Sequence, residues 1–139
     1  MSAALLEKLV TRPAAAKRLQ AVRRECFQLI DRDAVTFSRA IAATRTGRRT
    51  EFARALKTAT EVPYRVFANA HVIRAMGHAA QRAIKPRLQS DVRCALALAE
   101  ASARSAETLI RTNLAWLKDR AYAARMARRL RQAMHPHAG

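Results

Sequence analysis

The stretch SDVRCALALAEASARSAETLIRTNLAWLKD, residues 90–119, decides the fold. It holds no proline and no glycine, so nothing in it obliges a helix to stop. Ser90 is a good N-cap, and Asp91 sets a carboxylate at the positive end of the helix dipole. Behind them Val92, Leu96, Ala99, Ala103, Ala106, Ile110, Asn113 and Leu117 recur at spacings of three and four. That is the stripe of a helix packed on other helices, and its alanines let a neighbour come close. At about 1.5 Å per residue the segment is roughly 45 Å long, enough to span a small domain. Asn113 is the one polar residue in the stripe.

Working outward, the same reading extends to most of the chain. Residues 1–11 form a short helix with Leu5, Leu6, Leu9 and Val10 as its apolar side. Pro13 suits the first turn of a second helix that runs to about residue 43. Its stripe is Leu19, Val22, Cys26, Ile30, Asp33, Phe37 and Ile41, again with one polar member, Asp33. Residues 44–49 are a turn in which Gly47 can take a positive φ. A third helix is expected over residues 50–61. Pro63 then removes a backbone donor, so the helix kinks or restarts with Thr60 as cap, and a fourth runs to about residue 82. Val62, Val66, Asn69, Ile73 and Met76 are its stripe. The connector at residues 83–89 is broken by Pro86, and after Asp119 a last helix continues to about residue 134, before a frayed tail at 135–139.

These patterns predict an all-α protein, an antiparallel bundle of five or six helices in a single domain over residues 1–134. Helices 14–43 and 90–119 are expected to pack on each other, antiparallel. The composition agrees: only three glycines and four prolines among 139 residues, few aromatics and scarce β-branched runs. Cys26 and Cys94 have no metal or redox spacing and read as two buried thiols in a reducing compartment. No segment has the length of a membrane span, and Glu7 and Lys8 interrupt the first apolar run, so the expectation is a soluble, cytoplasmic protein.

The net charge of +17 suits polyanions: nucleic acid, anionic lipid or small multi-anionic ligands. The arginines are spread over every segment, so an arginine-rich surface without a partner explains them equally well. No zinc, P-loop, dinucleotide or nucleophile-elbow pattern is present. His71 and His78 lie seven apart without a third ligand, so no metal site is assigned. What remains is the set of polar groups in apolar stripes, Asp33, Asn69 and Asn113, with Asp91 at a helix start. A carboxylate on a packed face must be paired, hydrogen-bonded or protonated. For Asp33 the structural alternative is a salt bridge to a neighbouring helix, for Asn113 a register-setting amide, and for Asp91 a helix cap.

Four pieces in order carry a resemblance: LIDRDAVTF at residues 29–37, ATEVP at 59–63, SD at 90–91 and TNLAWLKD at 112–119. Together they span roughly residues 5–122 and resemble the cyclodeaminase/cyclohydrolase family, which includes the deaminase domain of formiminotransferase-cyclodeaminase and methenyltetrahydrofolate cyclohydrolase. The resemblance implies folate one-carbon metabolism, with a tetrahydrofolate derivative as substrate and no separate cofactor. Water would add to the methenyl carbon, or a formimino nitrogen would close the ring and leave as ammonia. Asp33 and Asp91 would be the catalytic carboxylates. Ser90 and Asn113 would bind substrate, with Arg82, Arg87 and Arg93 on the carboxylates of a glutamyl or polyglutamyl tail. The family works as helical oligomers, so a homodimer is implied, and its interface is expected to include part of the alanine-rich stripe of residues 96–110. Asp91 and Asn113 lie roughly 33 Å apart along one helix, so they serve one site only across a dimer.

The chain departs from the family pattern in two places. Members usually open with a glycine-rich segment, whereas this chain opens Met1-Ser2-Ala3-Ala4. They also tend to place Gly-Asn before Ser-Asp, where this chain has Ile84-Lys85-Pro86-Arg87. One alternative is therefore a catalytically degenerate member serving as a dimeric binding module. Another is a basic protein that binds nucleic acid or anionic membrane through Lys118 to Arg131, a reading disfavoured by the scarcity of aromatics for base stacking.

Overall fold

The computed structural model describes residues 1–10, 12–45, 47–82 and 84–136. Five α-helices follow in order: α1 (Ser2–Leu9), α2 (Pro13–Arg45), α3 (Arg49–Gln81), α4 (Gln89–Leu117) and α5 (Arg120–Met134), with a 3-10 turn at Pro86–Leu88. The described residues contain no strand. The all-α bundle is as expected. Of the tail expected to fray, residues 137–139 lie outside the described residues.

The centre of the bundle is α3. Its buried residues include Leu56, Ala59, Thr60, Val62, Phe67, Ala70, Ile73 and Gly77, which face several directions at once. A helix apolar on more than one side must be covered on more than one side. α2 covers it on one flank and α4 on another, and α2 and α4 hardly touch each other. Arg65 of α3 pairs with Glu25 of α2, whereas Arg74 pairs with Glu100 of α4 and Lys57 with Asp119 just beyond it. Both long helices are therefore antiparallel to α3 and run in the same direction as each other. The expected antiparallel contact between residues 14–43 and 90–119 is replaced by α3 lying between them.

Pro63 does not divide α3, which runs through it for 33 residues. The missing N–H leaves one carbonyl without its intrahelical donor. Val62 and Phe67 on either side are buried against the neighbouring helices, and that packing keeps both halves helical. Thr60 is fully buried and donates its hydroxyl to the Leu56 carbonyl at 2.7 Å, so it caps nothing. Farther along, Gly77 lets α4 come close: a Cβ there would lie 2.7 Å from Leu96 Cδ2.

The stripe expected on α4 is the buried one: Val92, Ala99, Ala103, Ala106, Ile110 and Leu117 all face inward, joined by Ala95. On α2 the stripe holds for Leu19 and Val22 and then turns. Leu29, Thr36 and Ala40 are buried, while Ile30, Phe37 and Ile41 are exposed. Ser90 is not the N-cap of α4. The helix starts at Gln89 after Leu88, because the 3-10 turn feeds straight into it, and Ser90 and Asp91 fall in its first turn. At the far end Lys118 takes a left-handed φ of 51° and stops α4. Asp119 then caps α5, its carboxylate accepting from the Tyr122 N–H at 2.9 Å. Gly47 has the positive φ its turn requires, 67°. Cys26 is half-buried and Cys94 exposed, so only one of the two thiols is even partly inside.

α1 lies across the gap between α2 and α4 at one end of the molecule. Leu6, with no exposed surface, fills a space walled by Leu19, Val22, Ile73, Val92, Ala95 and Ala99. A second cluster at the other end joins Leu56, Phe67, Ala103, Ile110, Tyr122 and Met126, and it seats α5 on α3. Nothing in the described chain lies over the α2–α4 gap at that second end. It remains an open trough.

Candidate functional site

The trough has walls from α2 and α4 and a floor from α3. Leu29, Ile30 and Asp33 stand on the α2 side, Leu98, Ser102, Ser105 and Leu109 on the α4 side, and Val62, Pro63 and Val66 form the floor. The enclosed volume is about 460 Å³. The apolar rim extends along the walls, because Phe37 and Ile41 continue the Ile30 stripe and Trp116 continues the Leu98–Leu109 stripe. Their exposures run from 39% for Ile41 and Leu98 to 65% for Ile30, and side chains of this kind are normally covered.

Asp33 is the one carboxylate among the described residues that line the trough. It has no ion pair there, although the chain carries 27 Lys and Arg against 10 Asp and Glu. Among the described residues the salt bridge that would have given Asp33 a purely structural role is not formed. Cys26 lines the same space, and burial pushes its thiol above the ordinary range, the opposite direction from an activated thiolate. Ser102 returns its hydroxyl to the Leu98 carbonyl at 2.8 Å. Pro63, in the floor, takes an N–H out of the helix ladder beneath the trough.

The other site residues expected from sequence scatter. Asn113 is half-buried on α4, one turn beyond Leu109, and is not among the residues that line the trough. Asp91 and Ser90 are exposed in the first turn of α4, about two turns before Leu98 enters the trough. Arg93 is exposed beside them and lines neither cleft. Arg82 and Arg87 line a separate, larger cleft formed by the C-terminal part of α3, the start of α2 and the connector. That cleft begins on α3 at Val72, about 9 Å beyond Val66. Asp33 and the arginines expected to serve it thus occupy different hollows.

Asn69, the third polar intruder, has a structural partner. It is 8% exposed and donates to Glu25 Oε2 at 3.1 Å, while Arg65 takes the other oxygen of that carboxylate. Glu25 lies outside the α2 stripe, and only the α2–α3 register reveals the pair. Ser102 and Ser105 were missed as site residues, though their spacing with Leu98 and Leu109 was a usable signal. On the far side of α3, Arg129 forks Glu61 at 2.6 and 2.7 Å and lies 3.8 Å from the centre of the Tyr64 ring. That hydrogen bonding holds the Glu61 carboxyl below its usual range. Tyr122 and Met126 are buried beneath α5 with Leu130 beside them, so most of the apolar side of α5 faces α3, and Met134 in its last turn is its one large apolar side chain left exposed, at 43%. Most of the apolar surface such a helix would insert into a lipid layer is therefore used within the bundle. No helix among the described residues is long and apolar enough to cross a membrane, and they hold no group of three metal-ligating side chains.

A helical bundle with a lone carboxylate in an open apolar trough is the class that fold and site define. The family model for formiminotransferase-cyclodeaminase matches residues 6–132. The chain belongs to that family, one of folate one-carbon metabolism. No curated protein and no solved structure matches the chain.

Proposed function

We propose that this chain acts on a one-carbon-bridged tetrahydrofolate, by cyclohydrolase- or cyclodeaminase-type chemistry, in the open trough with Asp33 as its acid–base group. The observation that carries the reading is Asp33 itself: an unpaired carboxylate over an apolar floor in a chain with cations to spare. The bridge carbon of such a folate belongs to an amidinium-like cation. A nearby carboxylate stabilises that cation, and it accepts the proton of the water that adds to the carbon or shuttles the proton that lets ammonia leave. The apolar walls suit the flat ring system, and Asn113, one turn beyond Leu109 on α4, is the amide that would orient a ring reaching past the lining.

The trough is half a site. Its exposed rim of Ile30, Phe37, Leu98, Leu109 and Trp116 would be covered in a homodimer, which is the assembly we propose. The interface then differs from the alanine stripe expected from sequence, because Ala99, Ala103 and Ala106 are already buried against α3. Asp91 belongs to the site only if a second subunit brings it there. Arg82, Arg87, Arg93 and Ser90 likewise contribute to folate binding only through the far end of a long glutamyl tail or from a partner subunit.

A degenerate, non-catalytic member is the second reading, favoured by the fact that the described lining gives Asp33 no companion acid or base. The methenyltetrahydrofolate chromophore separates the two: a hydrolase removes it from methenyltetrahydrofolate, a deaminase generates it from formiminotetrahydrofolate, and a binding module does neither. Turnover that disappears in Asp33→Asn supports the enzyme. Binding without turnover in the unaltered protein supports the module.

A further inference from the structure

The larger cleft, about 950 Å³, lies at the opposite end of α3 from the Lys57–Asp119 pair and apart from the trough. Its volume is that of a small-molecule site, typically about 300–1,000 Å³. The walls are aliphatic: Val10, Val72, Met76, Ala79, Ile84 and Leu88. The rim is cationic, with Arg12, Arg82, Lys85 and Arg87, and the described lining contains no carboxylate, amide, hydroxyl or aromatic ring. Among the described residues none of those four side chains has an ion-pair partner.

That combination is selective. A pterin edge alternates donors and acceptors, and the side chains here offer donors alone, with no ring to stack on. A polyanion such as RNA needs cations along a track, whereas these ring a hollow whose interior is hydrocarbon. An aliphatic chain ending in an anion satisfies both parts: methylenes replace water along Val72, Met76 and Ile84, and the terminal oxygens meet guanidinium groups at the rim. We infer that this cleft binds an aliphatic carboxylate, a soluble medium-chain acyl anion, independently of what the trough does.

The experiment is titration calorimetry of the full chain with octanoate, decanoate and dodecanoate below their micelle concentrations. Decanol, acetate and methenyltetrahydrofolate serve as comparison ligands. Affinity should rise about four-fold for each added methylene, the burial of one CH₂. Decanol should bind at least ten-fold more weakly than decanoate, and acetate undetectably. Ala79→Trp, at an exposed position on the cleft wall, should abolish decanoate binding, and the double variant R82E/R87E should weaken it more than ten-fold; unchanged circular dichroism and melting would show that both fold. Equal binding of decanol, or no dependence on chain length, overturns the inference. So does displacement of decanoate by the folate, which would make the cleft part of the folate site. Binding to anionic vesicles but not to monomeric decanoate also overturns it.

Discussion

The two ends of the α2–α4 gap are built from the same three long helices and have opposite fates. At one end α1 lies in the gap, and Leu6 is enclosed by Leu19, Val22, Ile73, Val92 and Ala95. At the other the walls are as apolar, with Ile30, Phe37, Leu98 and Leu109, but they face solvent around Asp33. The filled end therefore contributes to the stability of the chain itself. The open end gives up burial that the chain would otherwise gain, which is the usual cost of keeping a surface free for a substrate or another subunit.

Neutralising the carboxylate of the open end should give the largest effect. Asp33→Asn is expected to lower kcat on a methenyl folate about 10²- to 10⁴-fold while circular dichroism and melting stay unchanged, since the side chain is exposed and unpaired. A variant with full activity would move the chemistry out of the trough. At the filled end the reverse is expected. Leu6→Ala should cost about 2–5 kcal/mol in denaturant unfolding, because a fully enclosed leucine leaves a cavity between helices. A cost below about 1 kcal/mol, the size of a tolerated shape change, would mean that α1 does not hold the two long helices together.

The open rim should matter to assembly more than to the fold. The double variant I30D/L109D is expected to be monomeric in sedimentation equilibrium with little change in unfolding free energy. The unaltered chain should dimerise more strongly as salt screens its charge of +17. A dimer that survives both aspartates would place the interface elsewhere. Mixing Asp91→Ala with Asn113→Ala chains sharpens the point, because recovered activity requires one site to draw on two subunits.

The smallest effect belongs to α5. Glu61, held low by the Arg129 hydrogen bonds, titrates below its ordinary value of 4.5 in the folded chain. Its contribution is thus fully present above that value and is lost as pH falls through the lower folded value. Both partners are more than a third exposed, so screening keeps the contribution to about 1 kcal/mol. Glu61→Gln should remove that part of the acid sensitivity, read as the melting temperature between pH 3 and 6. An unchanged acid profile would assign it to other carboxylates.

Much of this was legible in residue spacing. The α4 stripe, the Gly47 turn and the all-helical class follow from periodicity and from where glycine and proline stand, since each depends on a residue and its neighbours three or four along. The family likeness was legible in LIDRDAVTF and TNLAWLKD for the same reason, being contiguous in the chain. Asp33 and Asn69 looked alike, as polar residues in apolar stripes. Tertiary structure separated them, giving Asn69 the Glu25 carboxylate and leaving Asp33 without an ion-pair partner among the described residues. It also kept α3 continuous through Pro63, because packing on both flanks outweighed one lost hydrogen bond, and set α3 between α2 and α4 instead of letting those two meet. Periodicity says which face of a helix is apolar. It does not say which helix will cover that face, because that depends on lengths, connectors and competing contacts summed over the whole chain.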